Sequence, residues 1–401
     1  MTRTRVLAVQ YANPAAYPPV AHSVQLLAEA GCEVGLIGTC RRGETLEFPP
    51  AARVELDLLE APGAGWRQKA HYARFVARVL RWTRRWRPDW IYVFDPLAAA
   101  AALAAARISS ARFIYHEHDA PDVQAPASRA MRGVLRARAR LARRAELCVV
   151  PGAGRARRLS EETGARRVET IWNCPRRHEV GGTRPTATGG PLRVLYHGSL
   201  VPARLPMAAI DALASVEHAS LGIAGYETAG HPGYVAALLA RARDRGAAAR
   251  VTWTGTLPAR TDVLAHADGF DVGLALLPRD TRDFNEQTML GASNKPFDYL
   301  ARGLALLVSD RPEWRAEYVG AGVARSCRGD SAAEIAAELR WFADHPAETR
   351  AMGERGRQRV LADWNFERGF TRVLDVMAGA SRSAAAPVAL SAPCDTDAGR
   401  H

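Results

Sequence analysis

Residues 181–199 read Gly-Gly-Thr-Arg-Pro-Thr-Ala-Thr-Gly-Gly-Pro-Leu-Arg-Val-Leu-Tyr-His-Gly-Ser, and this stretch decides how the chain divides. Its first part has the Gly, Pro and Thr composition of a linker, and its second part begins a short apolar run typical of a buried strand. A pattern of strands and helices precedes this stretch and starts again after it. The sequence therefore predicts two α/β domains, 1–172 and 192–363, joined by a linker at 173–191.

In both predicted domains, short runs of Val, Ile and Leu alternate with longer helical patterns, as in βαβ units with a parallel sheet. We therefore expect an α/β protein with two Rossmann-like domains that face each other across a cleft, with ligands at the carboxyl ends of the strands. Residues 364–378 predict a separate terminal helix, and 379–401 have the composition of a disordered tail. The predicted strands are 5–10, 33–38, 89–94, 112–116, 146–150, 168–172, 192–197, 219–224, 250–254, 271–277, 305–308 and 322–325.

The composition excludes several classes of protein. The chain has 401 residues, of which 48% are hydrophobic and 24% charged, as is ordinary for a soluble globular protein. Its longest apolar run, 96–106, is shorter than the about 20 residues that span a bilayer, and the N-terminus has no signal pattern. Six scattered cysteines without a Cys-x-x-Cys pair argue against a disulfide scaffold or a structural zinc site. We expect a cytoplasmic protein.

The net charge of +12 is unevenly distributed, because residues 1–190 carry 30 Lys and Arg against 17 Asp and Glu. Two helical patterns, 66–87 and 129–144, are rich in Arg and contain no acidic residue. Each is either a helix with an apolar stripe on the core and a solvated Arg face, or a helix that makes peripheral contact with the anionic inner face of a membrane. Nucleic acid is not an expected partner, since no motif that reads bases is present.

The first candidate site lies at the end of the strand predicted at 192–197. Gly198 lets the backbone approach a ligand, Ser199 follows it, and the next helix would offer free N–H groups to a phosphate. Arg204 would add a charge-assisted contact. The alternative is an ordinary tight turn between a strand and a helix.

The second candidate site is the run Asn-Lys-Pro-Phe-Asp at 294–298. Asn294 is a predicted helix cap, which places Lys295 in the first turn, where a cation is unfavourable to the helix dipole. A bound anion would explain that cation, and Asp298 lies one turn later on the same face. A Lys and a carboxylate so placed suit a diphosphate and a pair of ribose hydroxyls. The alternative is a surface ion pair between the two side chains.

The third candidate site is Tyr-His-Glu-His-Asp at 115–119, at the end of a predicted strand. On an extended chain His116 and His118 face one way and Glu117 the other. A general acid or base, or a group that orients a hydroxyl, is one interpretation, and solvated loop residues are another. A metal site lacks a third ligand at a suitable spacing. NAD is disfavoured as well, because no Gly-x-Gly-x-x-Gly follows the first strand.

Together these motifs resemble the GT-B glycosyltransferases, and most closely the retaining, nucleotide-sugar-dependent enzymes of family 4. The resemblance rests on the motifs at 294–298 and 196–199, on the strand that ends at His116 and Glu117, and on Trp-Asn-Phe at 364–366, which is similar to the C-terminal helix that folds back over the first domain. It implies transfer of a sugar from a nucleoside diphosphate sugar to an acceptor hydroxyl without a metal or other cofactor. It does not identify the acceptor.

The resemblance also implies a role for each matching position. Gly198 and Ser199 would approach the donor diphosphate, and Arg204 and Lys295 would neutralise it. The other implied roles are a contact of Asp298 with the ribose hydroxyls, a border to the base formed by the loop from Gly255 to Leu257, and a contact of His116, with Glu117, to the sugar and the acceptor.

One departure from the family pattern concerns the donor sugar. The family has two glutamates eight positions apart, whereas this chain has Leu290 and Asp298 there. Glu286 and the loop 291–293 are the candidate substitutes for the missing carboxylate. Two other functions stay open at this point: a GT-B sugar-nucleotide epimerase or hydrolase, and a non-catalytic module that binds a nucleotide sugar or a membrane surface.

Overall fold

Two parallel sheets, one in each half of the chain, form the framework of the protein. The computed structural model describes residues 3–62, 67–122, 128–183 and 190–379. The first sheet has the strand order β3-β2-β1-β4-β5-β6-β7 and the second β10-β9-β8-β11-β12-β13. The strands are β1 (Arg5–Gln10), β2 (Glu33–Arg41), β3 (Val54–Ala61), β4 (Trp90–Phe94), β5 (Arg112–His116), β6 (Leu147–Val150), β7 (Val168–Thr170), β8 (Leu192–Leu200), β9 (Ala219–Glu227), β10 (Val251–Gly255), β11 (Val272–Ala275), β12 (Ala305–Ser309) and β13 (Ala324–Cys327).

Fourteen α-helices among the described residues connect and cover these strands. They are α1 (Pro18–Glu29), α2 (Arg67–Trp86), α3 (Asp95–Ala105), α4 (Arg129–Arg144), α5 (Ala153–Thr163), α6 (Met207–Ala214), α7 (Tyr234–Asp244), α8 (Arg260–Ala267), α9 (Phe284–Gln287), α10 (Asn294–Ala301), α11 (Pro312–Trp314), α12 (Ala332–Asp344), α13 (Pro346–Ala362) and α14 (Phe366–Met377).

The prediction of two Rossmann-like domains is confirmed, since each sheet is parallel and has helices packed against it. The sequence analysis missed one strand, β3, which lies at an edge of the first sheet and has a half-exposed, alternating pattern. Its residues alternate Val, Leu and Leu with Glu and Asp, and such a run is weaker in hydrophobicity than the buried central strands. Residues 184–189 of the predicted linker and 380–401 of the predicted tail lie outside the described residues.

Helices cover both faces of the first sheet. On one face, α1 and α14 bury Val24, Leu27 and Phe370 against strand residues that include Tyr92. On the other face, α2, α3 and α4 bury residues such as Phe75, Phe113 and Leu141. The terminal helix α14 therefore packs on the first domain, although it follows the second domain in sequence.

The two Arg-rich patterns form helices α2 and α4, and each has an apolar stripe toward the core. Helix α2 buries Phe75 and Val79, and α4 buries Ala137 and Leu141. Most of their arginines are exposed. Across the described residues, no helix combines the length and the apolar character that a membrane crossing requires.

The packing of α14 on the first domain leads to a stability prediction. Phe370 is fully buried between α1 and the sheet, so we expect Phe370→Ala to lower the free energy of unfolding by about 3–5 kcal/mol. Thr371 lies next to it on the exposed side of the same helix, and Thr371→Ala is the matched control. Thermal unfolding followed by circular dichroism measures both; equal effects of the two variants would contradict this packing.

Candidate active site

The carboxyl ends of the two sheets line a cleft of about 390 Å³. From the first domain, Tyr17, Leu46, His118 and Asp119 form one wall. The opposite wall comes from the second domain and includes His197, Gly198, Ser199, Arg204, Gly225, Tyr226, Leu257, Arg260, Ser293, Asn294, Lys295 and Asp298. Most of the donor-side residues singled out from sequence therefore lie in one place.

Gly198 is the point where the backbone of β8 approaches the donor helix α10. Its φ of +111° is one that side-chain-bearing residues rarely adopt. A Cβ atom there would lie 3.0 Å from Cε and 3.2 Å from Nζ of Lys295. The strand neighbour Gly225 is constrained by a different contact, because a Cβ on it would overlap the carbonyl oxygen of Gly198. Gly198 thus leaves room for the lysine, and Gly225 leaves room for the backbone of Gly198.

The structure corrects the expected surroundings of Gly198. The sequence predicted that the strand ends at residue 197 and that the next helix offers its free N–H groups there, whereas β8 continues through Leu200 and α6 begins only at Met207. The added strand residues pair with β9 up to Leu200 and Glu227. Gly198 and Ser199 consequently belong to the strand itself and not to the first turn of a helix.

Lys295 and Arg204 place two cations on the donor wall. The ammonium of Lys295 lies 5.3 Å from the ring centre of Tyr196, and neither cation forms an ion pair with a carboxylate in the part of the chain that the structure describes. Desolvation, followed by the positive charge of Arg204, lowers the pKa of Lys295 to about 7. Cations brought together without a partner are unfavourable in the free protein and become favourable when an anion binds between them.

The start of α10 differs in detail from the sequence prediction. Ser293 precedes the helix, without a hydrogen bond from its side chain, and Asn294 is the first helical residue and not the cap. Lys295 does lie in the first turn. Asn294 and Lys295 both line the cleft.

Asp298 is buried in an ion-pair network that the sequence analysis did not foresee. Its Oδ1 accepts a hydrogen bond of 2.8 Å from Arg260, which also binds Glu179 at 2.5 Å. Nε2 of His22 lies 3.1 Å from Glu179. Burial alone would raise the pKa of Glu179, but Arg260 and His22 bring it well below its usual range. The carboxylate of Asp298 is therefore already paired, and its contact with a ribose stays a prediction.

His116 and Glu117 do not line the cleft, contrary to the expectation from sequence. His116 is fully buried in the first domain, and its Nδ1 lies 3.2 Å from the hydroxyl of Tyr92. Glu117 points the other way and accepts two hydrogen bonds, of 2.6 and 2.7 Å, from Arg138. The alternation along the strand was predicted correctly, and β5 ends at His116 as expected. Both side chains are nevertheless buried inside the first domain, and this segment reaches the cleft only at His118.

His118 takes the position expected for His116. Its Nδ1 lies 3.1 and 3.2 Å from the two carboxylate oxygens of Asp95, and its backbone N–H donates to Asp95 at 2.9 Å. Burial would raise the pKa of Asp95, but these contacts lower it below its usual value. Nε2 of His118 is buried and has no hydrogen-bond partner among the described residues. The Asp95 contact therefore favours the tautomer that leaves Nε2 as an acceptor.

The remaining sequence candidates divide between the cleft and its surroundings. Leu257 lines the cleft, whereas Gly255 ends β10 with a φ of +85° and is not part of the lining. Glu286 is not part of the lining either, and its Oε2 accepts a hydrogen bond of 2.6 Å from Thr281. Of the two candidate substitutes for the carboxylate absent at Leu290, only the loop 291–293 contributes residues to the cleft.

Two sets of polar contacts join the cleft walls near His118, one from the half-buried Asn285 and one from the buried Arg155. The side-chain amide of Asn285 in α9 exchanges two hydrogen bonds of 2.9 Å with the backbone of Ala120. Arg155 of α5 donates to the backbone carbonyls of His118 and Asn285 and to the side chain of Asp119. The contacts of Asn285 with Ala120 and of Arg155 with Asn285 were not predictable from sequence, because they join residues 165 and 130 positions apart.

Among the described residues, no group of three or more His, Cys, Asp or Glu side chains is arranged to hold a metal ion. The polar groups of the cleft include the two cations Lys295 and Arg204, the ring of His118, which Asp95 orients from outside the cleft, and the residues around Gly198. This arrangement can bind an anionic group on the second domain and orient a hydroxyl from the first.

Two protein families match the sequence, one in each half of the chain. Residues 20–174 match the family described as Glycosyltransferase Family 4, and residues 209–375 match the family described as Glycosyl transferase-like. No curated protein matches the sequence.

Solved structures with the same fold are similar over nearly the whole chain. Sucrose-phosphate synthase of Thermosynechococcus elongatus has a TM-score of 0.70 at 14% identity and covers 94% of this chain and 99% of its own. HepE of Anabaena in complex with UDP and glucose has a TM-score of 0.68 at 16% identity, and the match covers 94% of this chain and 100% of HepE. WaaG, a glycosyltransferase involved in lipopolysaccharide biosynthesis, has a TM-score of 0.63 at 14% identity, and the match covers 93% of this chain and 100% of WaaG.

The two family matches fall on the two sheet domains, and the architecture is that of the GT-B fold. The chain is therefore a glycosyltransferase of the GT-B fold, with a Glycosyltransferase Family 4 domain in its first half and a Glycosyl transferase-like domain in its second half.

Proposed function

We propose that this glycosyltransferase transfers a hexosyl group from a nucleoside diphosphate sugar to an acceptor hydroxyl, with Lys295 and Arg204 in place of a metal ion. The observation that carries this proposal is the pair of cations beside Gly198, which has no carboxylate partner within the described residues. The crystal structure of the similar protein HepE is a complex with UDP and glucose. UDP-glucose is therefore the first donor to test.

The donor wall suits stabilisation of the leaving group. When the bond between the anomeric carbon and the diphosphate breaks, negative charge grows on the diphosphate oxygen. Lys295 and Arg204 oppose that charge from fixed positions, and fixed charges in a partly desolvated site require little reorganisation during the reaction. The ion pair of Asp298 with Arg260 holds α10, and with it Lys295, in place.

The first domain supplies the group that faces the sugar. His118, oriented by Asp95, has a free Nε2 that can accept a hydrogen bond from a hydroxyl of the donor sugar or of the acceptor. Retention of the anomeric configuration is part of the proposal because the family 4 resemblance implies it. Proton NMR of the product measures the configuration, and an inverted product would refute retention.

We also propose peripheral contact with an anionic membrane. The exposed arginines of α2 and α4 support it, since both helices present them on the side opposite the core. A protein at the inner face of a cell membrane would meet lipid-borne acceptors there.

The role of Lys295 gives the test of the proposed function. We expect Lys295→Ala to reduce turnover of UDP-glucose or another accepted donor by at least about tenfold, because each 1.4 kcal/mol of lost charge stabilisation is a factor of ten. Arg245 is a half-exposed cation of the second domain, paired with Asp211 outside the cleft, and Arg245→Ala is the control. Release of nucleoside diphosphate in a coupled assay measures both rates.

An unchanged rate in Lys295→Ala would contradict the proposed role of this lysine. Epimerised donor, or release of nucleotide that does not depend on any acceptor, would instead assign the site to an epimerase or a hydrolase. Donor binding without turnover over a broad acceptor panel would indicate a non-catalytic module.

The lowered pKa of Lys295 leads to a second prediction. With a pKa of about 7, this amine is mostly neutral at pH 7.5, and a bound diphosphate raises its pKa. Binding of UDP at pH 7.5 should then take up roughly 0.7 of a proton, and the affinity should fall as the pH rises above 7. Calorimetry in buffers of different ionisation enthalpy measures the uptake. In the control variant Lys295→Arg, residue 295 stays charged, so UDP binding should take up no proton there. The same proton uptake in both proteins would rule out Lys295 as the group that takes up the proton.

A further inference from the structure

A second cavity, of about 280 Å³, opens in the first domain beside the cleft. The two cavities share Tyr17 and Asp119 as lining residues. The second cavity is formed by the residues that follow β1, by the start of α3, by the segment after Asp119 and by the first turns of α4. These residues are Gln10, Tyr11, Ala12, Asp95, Pro96, Leu97, Ala120, Pro121, Met131 and Val134.

The solvent side of this cavity is apolar. Leu97 and Met131 line it and are among the most exposed large hydrophobic residues of the described chain, at 39% and 38%. Pro96, Pro121 and Val134 add further apolar surface. Exposed apolar residues gathered at the opening of a cavity indicate that an apolar group of a ligand covers them.

The buried side of the cavity is polar and leads to the cleft. Gln10 is fully buried, and its Oε1 has no hydrogen-bond partner among the described residues. Its Nε2 lies 3.3 Å from Asp95, which in turn binds the ring of His118 on the cleft side. Asp95 has a φ of +63°, a rare value for a residue with a side chain. This conformation places one carboxylate between the two cavities, where a hydroxyl from the second cavity can reach the cleft.

The surface around this cavity has an apolar strip with positive charges on both sides of it. Helix α3 lies between α2 and α4 on one face of the sheet. After Asp95 it has no charged residue, and its outward positions include Leu97, Ala100 and Leu103. The two flanking helices expose arginines. An apolar strip between two cationic helices is complementary to an anionic bilayer, with the strip toward the acyl region and the arginines toward the headgroups.

We propose that the second cavity is the acceptor pocket and that the acceptor is an amphiphilic alcohol borne by an anionic bilayer. Its apolar part lies against Leu97, Met131 and Val134, and its hydroxyl reaches the Gln10, Asp95 and His118 end. This inference rests on the proposed function and names the acceptor class. In the transfer, the acceptor oxygen bonds to the anomeric carbon as the bond from that carbon to the diphosphate oxygen breaks. The diphosphate keeps that electron pair and receives the hydroxyl proton.

Binding of n-alkyl β-D-glucosides tests the pocket, because they combine hydroxyls with an apolar chain of known length. We expect the affinity of the hexyl, heptyl and octyl compounds, below their micelle concentrations and in the presence of UDP, to rise by about fourfold per buried methylene. Leu97→Asp should weaken binding of the octyl compound at least about tenfold and reduce the dependence on chain length. Calorimetry measures both, and an affinity that does not depend on chain length would overturn the proposal.

The control variant is Leu56→Asp, since Leu56 is also 39% exposed but lies on the edge strand β3, outside the cavity. It should bind the glucosides as the unchanged protein does, and equal losses in the two variants would refute the pocket. UDP affinity should be the same in all three proteins. A protein that binds glucosides but neither binds UDP nor transfers sugar would refute the proposed function and leave the pocket standing.

Flotation with vesicles tests the bilayer as the source of the acceptor. We expect the protein to bind equimolar phosphatidylglycerol and phosphatidylcholine vesicles at 50 mM salt, to leave them at 500 mM salt, and to bind pure phosphatidylcholine poorly, as charge screening requires. Leu97→Asp should weaken this binding and Leu56→Asp should not. Glucoside binding without vesicle binding would overturn the membrane-borne acceptor in favour of a soluble one.

Discussion

The close approach of Lys295 to Gly198 is the contact on which the donor site depends. A Cβ at position 198 would crowd the end of the Lys295 side chain, the φ of +111° there disfavours any side chain, and Gly225 is required so that β9 can pair alongside. The ammonium held there is partly desolvated, lies near Arg204 and has no carboxylate partner among the described residues. This unfavourable arrangement becomes favourable when an anion binds, and in the function we propose that anion is the diphosphate leaving group.

A buried ionic chain connects this contact to the rest of the molecule. It runs from His22 of the first domain through Glu179, which follows the first sheet, to Arg260 and Asp298 of the second domain. Because Asp298 lies one turn after Lys295 on α10, the orientation of the donor helix depends on residues of both domains. Asn285 and Arg155 add polar contacts across the walls near His118. The donor and acceptor sides are thus fixed relative to each other by directional contacts.

The strand pattern and the motif at 294–298 were readable from sequence because burial and helix geometry act locally. Strand β3 was missed because an edge strand need bury only part of its surface. For the first-domain histidines, alternation along β5 and its end at His116 were predicted correctly, but neither shows how far the end of a strand is covered by the surrounding elements. His116 is buried and His118 lines the cleft, so a contact of His116 with the sugar stays a prediction. Asp95, which orients His118, follows a strand and precedes a proline, a pattern that could have suggested a turn at the cleft. The partners of Asp298 were not readable, since Glu179 and Arg260 become neighbours only in the folded chain.

The most direct measurement is the position of a bound nucleoside diphosphate. A crystal structure of the protein with UDP should place the diphosphate in the cleft next to the backbone of Gly198 and Ser199, with an oxygen within about 3 Å of the ammonium of Lys295. Arg204 should contact the same group. A diphosphate bound elsewhere, or in the cleft with the ammonium turned away from it, would contradict the central claim.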